Sequence, residues 1–435
     1  MADRPARLPP GLRVYLALSA AAGPAAPLLL RRRAARGRED PARLAERFGR
    51  PAVPRPEGRL VWLHGASLGE GLSMLPLIDA LRAAEPRLGI LATTGTVSSA
   101  RRLGALLPER AVHQFVPVDT RGAVRGFLDH WRPDLAVWIE SELWPRLMAE
   151  TAARGTPMML VNARLSAASR RAWGRAPATA RWLVRRFGAI LTQDRATAER
   201  LVALGADPAR VEEAGNLKVA LPPPPADAGV LAHLRAATGG RPVWLAASTH
   251  APEEAAVAEA HRAAGLALSG LLTVLAPRHP ERGEEIAAAL RRAGLRVERR
   301  TDAPLPDART QVYLADTLGE MGLWLRLAPV AFVGGSIAPM GGHNPFEAAA
   351  LGAAVLHGGH TENFAPSYAA LTEAGAAREV RDGAEIAAAL RALLPAEGGA
   401  ARAAMVAAAR EVRARMTPDV AAIAARALRL MERRP

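Results

Sequence analysis

The residues of this chain able to do chemistry fall where its apolar runs end. Glu70 follows the run Leu60–His64, at the mouth of a predicted helix. A carboxylate just past a strand end can take a proton from a substrate hydroxyl. A first-turn glutamate can equally do no more than complement the helix dipole. Glu140 and Glu142 close the run Leu135–Ile139, and paired acids there are unusual unless they are paired or functional. Thr93-Thr94-Gly95-Thr96 offers hydroxyls to a sugar or phosphate, or a cap to the next helix. Asn162–Ser166 and Gly215-Asn216-Leu217-Lys218 add an amide and an amine. Each piece alone also reads as turn chemistry. Their shared edge of the first domain points to a site.

The second half repeats the arrangement. Ser248-Thr249-His250 precedes the acids Glu253 and Glu254, and Pro277-Arg278-His279-Pro280-Glu281-Arg282 ends another strand. Arginine grips phosphate bidentately, so this run suits a nucleotide, or is a solvated turn. Gly319-Glu320-Met321 opens a further helix. The stretch Val330–Phe364 then gives strand, two glycine pairs (Gly334-Gly335 and Gly341-Gly342) and a helix start. There Asn344 is the expected N-cap, Pro345 the first helical residue and Glu347 the third. Glycines and a helix N-terminus can receive an anion. They spell neither GxGxxG nor a Walker ending, so an ordinary capped turn is the other reading.

Other chemistries are excluded. Gly65-Ala66-Ser67-Leu68-Gly69 matches the nucleophile elbow GxSxG, but an elbow follows several strands and an upstream oxyanion loop, and here only an Arg/Pro-rich leader precedes it. No cysteine is present, which removes disulfides, thiolate metal sites and a thiol nucleophile. His343, His357 and His360 lack HExxH spacing, so no metal is expected. A formal charge of +15 implies an anionic partner or surface. Scattered arginines, few aromatics and no nucleic-acid motif argue against DNA or RNA.

At 435 residues two domains are expected. The elements that position these side chains alternate. Strands are predicted at 60–64, 90–93, 112–116, 135–139, 158–161 and 189–192, then at 243–247, 271–275, 295–298, 312–315, 330–333 and 354–356. Helical stretches such as 71–84, 121–130 and 195–204 separate them. This is the pattern of an α/β fold with two doubly wound, Rossmann-like sheets facing a cleft, whose ligands sit beyond the carboxyl ends of the strands. The four prolines Pro222–Pro225 form a stiff linker. Residues 1–50 form a leader, 51–221 the first domain and 222–435 the second with the C-terminal helices. Within the leader, Pro9–Leu30 is largely apolar and five arginines follow between Arg31 and Arg38. It is short for a span, and its charges follow rather than precede it. A membrane-dipping anchor with cytoplasmic arginines fits, as does a helix of a soluble protein.

Nine motifs in order, from HGASLGE (64–70), TTGT, ESELWP, NARLS and GNLK to STH-x-x-EE, APRHPER, GEM and GGS-x-x-P-x-GGHNPFE, resemble the Kdo (3-deoxy-D-manno-octulosonic acid) transferases of lipopolysaccharide assembly. The resemblance covers nearly the whole chain, including RLAERFG (43–49) after the leader. Ser141, Ala247 and Ala348 depart from the residues common in the family. The resemblance implies a GT-B fold, acceptor side first and nucleotide side second, and a metal-independent inverting transfer of Kdo from CMP-Kdo to the lipid A precursor, lipid IVA. It needs no cofactor, and works at the cytoplasmic face of the inner membrane against an anionic leaflet, without nucleic acid. It implies Glu70 as general base and Glu140 with Lys218 as transition-state stabilisers. CMP contacts would fall on Pro277, Arg278, Gly319, Glu320, Met321, Asn344, Pro345, Phe346 and Glu347. The rival is another GT-B enzyme with a UDP-sugar donor.

Overall fold

The computed structural model describes residues 7–140 and 143–432. It divides into two compact units, residues 1–221 with 417–435, and residues 222–416. The first is built on a seven-stranded parallel sheet: β1 (Leu60–His64), β2 (Gly89–Thr94), β3 (Ala111–Phe115), β4 (Leu135–Ile139), β5 (Met158–Ala163), β6 (Phe187–Thr192) and β7 (Val211–Glu213). Their order is β3-β2-β1-β4-β5-β6-β7. The second sheet has β8 (Val243–Thr249), β9 (Leu272–Pro277), β10 (Val297–Arg299), β11 (Val312–Leu314), β12 (Val330–Val333), β13 (Ala354–His357) and β14 (Ala377–Glu379). It is ordered β10-β11-β9-β8-β12-β13-β14. Two Rossmann-like units of this kind make the GT-B fold class.

Helices cover both faces of each sheet, which is why the strands read as unbroken apolar runs. All five residues of β1 and of β4 are buried, and Trp138 meets Trp62 at a tilt and Phe187 edge-on in one half of the core. Each fully buried side chain of this size contributes about 1.5–3 kcal/mol. The chain order reverses between β1 and β4, and between β8 and β12. Such switch points are where parallel sheets open a crevice for ligands. The positions just after β1, β4, β8 and β12 carry Glu70, Glu140, His250 and the glycine pair.

Three expectations change. The predicted helix 71–84 is two, Leu68–Ser73 and Leu75–Ala84, because Pro76 cannot continue the first. The C-terminal tail does not stay wholly with the second unit. The helix Gly399–Met416 does, but Val420–Glu432 packs on the first, burying Ile423, Ala424, Ala427 and Met431. Gly188 has no side chain where Leu430 sits; a Cβ there would lie 2.6 Å from Leu430 Cδ1. The leader is not a separate piece either. Leu12 is fully buried, and Glu46 accepts the Phe115 N–H at 2.8 Å, tying the leader to the sheet. Among the described residues no single helix is long and apolar enough to cross a membrane; Pro10–Ala21 and Gly23–Ala35 pass that test only together, bent by 42°.

Candidate functional site

In the first unit, three of the predicted side chains come together at the carboxyl edge of the sheet. Ser67 is the N-cap of the helix Leu68–Ser73, its Oγ accepting the Glu70 N–H at 3.3 Å. The Glu70 carboxylate in turn accepts from Ser67 Oγ at 2.8 Å and from the Ala66 N–H at 2.7 Å. These two bonds fix the carboxylate in one orientation. It also explains the GxSxG match: Ser67 is a cap and not a nucleophile. Glu140 stands directly after β4 with φ 62°, a left-handed backbone that a glutamate rarely adopts, and it is only 9% exposed. Its Oε1 lies 2.6 Å from Lys218 Nζ. A Cβ on Gly69 would be 3.8 Å from that same Nζ, so the lysine lies beside the turn that carries Glu70. Ser141 and Glu142, the rest of the predicted acid pair, lie outside the described residues.

Asn162 is what holds this group in register. It also has a left-handed backbone (φ 56°) and is 1% exposed. Its Oδ1 accepts the Leu217 N–H at 2.9 Å, while Asn216 Oδ1 accepts that of Lys218. The loop bearing Lys218 is therefore pinned to the end of β5. Thr93 and Thr94 turn inward instead. Thr93 Oγ1 accepts from Trp62 Nε1 at 2.8 Å and bonds His64 Nδ1 at 2.9 Å, and Thr96 caps the next helix. Burial pushes His64 down to about 3, so it is neutral at pH 7.

In the second unit the glycine-rich loop already holds an anion, and it is the protein's own. The fully buried carboxylate of Glu253 accepts N–H bonds from His250 (3.0 Å), Gly335 (2.8 Å), Ser336 (3.0 Å), Ile337 (3.0 Å) and Ala338 (3.3 Å). Gly334 is needed for this approach; a Cβ there would fall 2.6 Å from Ser248 O and 2.9 Å from Glu253 Oε2. The first glycine pair is thus a nest for Glu253, and the candidate donor-binding residues come after it.

There, His343 Nε2 lies 3.1 Å from His250 Nε2 and the two rings are nearly parallel, with His279 edge-on to His250. Burial, then the nearby Arg278, pushes His343 down to about 4. Glu347 is raised by burial, opposed by a hydrogen bond from Asn344 and by Arg278. Asn344 Oδ1 accepts the Phe346 N–H at 3.1 Å, but the helix begins one residue later than expected, with Pro345 in the N-cap position, and runs only Phe346–Ala350, too short to carry much of a dipole. Arg282 is spoken for, bonded bidentately to Glu254 at 2.8 and 3.1 Å, which leaves Arg278 as the exposed cation of its run. Glu320 is bound by Arg300 at 2.7 and 3.0 Å, and its carboxyl is lowered by that contact. The Gly319–Met321 turn therefore has its carboxylate already engaged. Among the described residues no three His, Cys, Asp or Glu side chains are arranged to hold a metal.

A family model described as "3-Deoxy-D-manno-octulosonic-acid transferase (kdotransferase)" matches residues 42–221, the unit that carries Glu70, Glu140 and Lys218. The 3-deoxy-D-manno-octulosonic acid transferase of Haemophilus influenzae is 34% identical over 347 residues, 79% of this chain and 81% of that protein. The one of Bordetella pertussis is 39% identical over 350 residues, 77% and 80% of the two. This chain belongs to the Kdo transferase family. Among solved structures, UDP-GlcNAc 2-epimerase from Neisseria meningitidis bound to UDP-GlcNAc aligns with a TM-score of 0.58 over 85% of this chain and 99% of that one. At 13% identity it shares the fold alone.

Glu70, Glu140 and Lys218 stand in the motifs shared with the Kdo transferases, and the structure adds the contact between Glu140 and Lys218. Asn162, Glu253 and the pair His250 and His343 were visible only as members of motifs. Asn162 and His250 had for a signal only a polar residue at the end of a buried strand, and Glu253 and His343 only a place in the turn that follows one.

Proposed function

We propose that this chain is an inverting glycosyltransferase that moves Kdo from CMP-Kdo to a lipid A precursor in lipopolysaccharide core assembly, at the cytoplasmic face of the inner membrane. Family membership supports the reaction. The observation that carries the mechanism is the Glu140–Lys218 ion pair beside the capped Glu70 at the switch point of the first sheet.

Glu70 takes the proton of the acceptor hydroxyl as its oxygen forms a bond to the anomeric carbon of Kdo. The bond from that carbon to the phosphate oxygen breaks, and CMP leaves with the electron pair. Lys218, held by Glu140, offsets negative charge as the phosphate departs. The donor is held by Pro277 and Arg278, by the turn Gly319–Met321 and by Asn344–Glu347. Fixed cations at both places supply the charge that a metal would, so neither metal nor cofactor is required. The leader lies against the anionic leaflet through its apolar helices and arginines.

Donor choice tests this reading. CMP is expected to raise the melting temperature in the presence of a chelator, and UDP is not. Stabilisation by UDP but not by CMP would favour the UDP-sugar rival.

A further inference from the structure

The first unit carries a second charged region that the transfer reaction does not use. It lies at the amino ends of β6 and β7, since Arg185 and Arg186 immediately precede β6 and Arg210 immediately precedes β7. Glu70, Glu140 and Lys218 follow strands of the same parallel sheet and so occupy its opposite edge. A cavity of about 1050 Å³ there is lined by Arg7, Arg170, Arg181, Arg185, Arg186 and Arg210. Its one acidic lining residue, Asp207, is paired with Arg210 at 3.3 Å. A smaller cavity of about 400 Å³ shares Arg210 and adds Arg426 and Arg429. So many cations around one opening call for an anion of more than one charge, or for several anions.

The basic cavity adjoins one that is aliphatic along one wall and carries Arg121, Arg125, Arg146 and Glu150 along its rim. Trp182 and Arg186 line both, the guanidinium lying 4.9 Å over the indole ring. The adjoining cavity, about 600 Å³, runs beneath the helix Pro10–Ala21 along Leu8, Leu16, Ala17 and Ala20, against Ala149 and Ala153. That same leader exposes Val14, Leu18, Leu28 and Leu29 by 58–65%. An arginine-lined cavity that opens onto a part-aliphatic one under a helix with bare apolar side chains has the chemistry to take a lipid with an anionic head. Nucleic acid fits less well, because Trp182 is the only aromatic residue lining the three cavities and bases need stacking platforms.

We propose that this arginine-lined cavity binds the phosphate headgroup of an anionic membrane phospholipid, with an acyl chain in the channel beneath Pro10–Ala21. The inference rests on the membrane-surface part of the function proposed above. It assigns that contact to the edge of the sheet away from the chemistry, which would leave the carboxyl edge free for substrates.

The test uses the full chain without donor or acceptor, so its failure leaves the transfer reaction untouched. Binding is measured by co-sedimentation with phosphatidylcholine vesicles, with and without phosphatidylglycerol. The exposed triple Arg170→Glu, Arg181→Glu, Arg185→Glu is compared with the exposed triple Arg292→Glu, Arg296→Glu, Arg309→Glu of the second unit, an equal charge change. The first is expected to lower partitioning onto phosphatidylglycerol vesicles by roughly 100-fold and the second by less than about threefold. A milder set, Arg170→Gln, Arg181→Gln, Arg185→Gln, is expected to give roughly a tenfold loss and covers a folding failure of the first. Calorimetry with dodecyl phosphate and inorganic phosphate separates lipid from free anion, with dodecyl phosphate expected to bind at least about tenfold tighter. Equal losses in the two glutamate triples, equal affinity for the two phosphates, or tighter binding to single-stranded RNA than to the vesicles would each overturn the proposal.

Discussion

At the scale of single residues, Glu70 has a structural job and, in the proposed reaction, a chemical one, which substitution can separate. Its carboxylate accepts from the Ser67 hydroxyl and the Ala66 N–H, bracing the helix start, and in the proposed reaction it also accepts a proton. Glutamine keeps an acceptor for the cap but is no base. Glu70→Gln is therefore expected to lower kcat by about 10²–10⁴ while the melting temperature and CMP affinity stay near those of the parent. Glu70→Ala should lose the same turnover and also about 1 kcal/mol of stability through the cap. Turnover assays beside CMP titrations check this; normal transfer by the glutamine variant would remove Glu70 as the base. Glu70 was legible because a strand end and a helix start bracket it. The Glu140–Lys218 contact was not, because no local pattern brings two loops 78 positions apart within 2.6 Å. Nor was the left-handed backbone at Glu140 and Asn162, where no glycine announces it.

At the scale of elements, the organising device of the second unit is the nest that Glu253 fills. From sequence the loop 334–343 reads as a receiver of anions, and it is one. The anion comes from a helix 82 positions earlier, a pairing that spacing cannot reveal. The consequence is a preformed loop that presents His343, Asn344 and Glu347. Replacing Glu253 with leucine leaves five N–H groups without their acceptor. Breaking a buried charged network of this kind costs about 3–5 kcal/mol. Differential scanning calorimetry should show the loss in the second unit, and calorimetric titration should show CMP affinity falling with it. Unchanged CMP affinity would separate the loop from the donor. Elsewhere the alternation of strands and helices was read correctly, but β7 and β14 were missed. Both are edge strands with two exposed residues out of three, so no apolar run marks them.

At the scale of the whole molecule, two parallel sheets each place their polar strand ends at one edge, and topology decides which residues meet. The linker boundary at Pro222 was legible from four prolines, whereas the return of Val420–Glu432 to the first unit was not, since an amphipathic helix does not name its partner. The surplus of arginine follows the same logic of edges: Arg278 stands at the carboxyl end of β9, while Arg185, Arg186 and Arg210 gather at the amino ends of β6 and β7. Kdo transfer is tested most directly by mass spectrometry of a mixture of purified protein, CMP-Kdo and a tetraacylated, phosphorylated disaccharide lipid. The expected result is a lipid product heavier by whole Kdo residues, with one CMP released for each residue added. An unchanged lipid with CMP-Kdo, alongside a glycosylated lipid when a UDP-sugar is supplied instead, would contradict it.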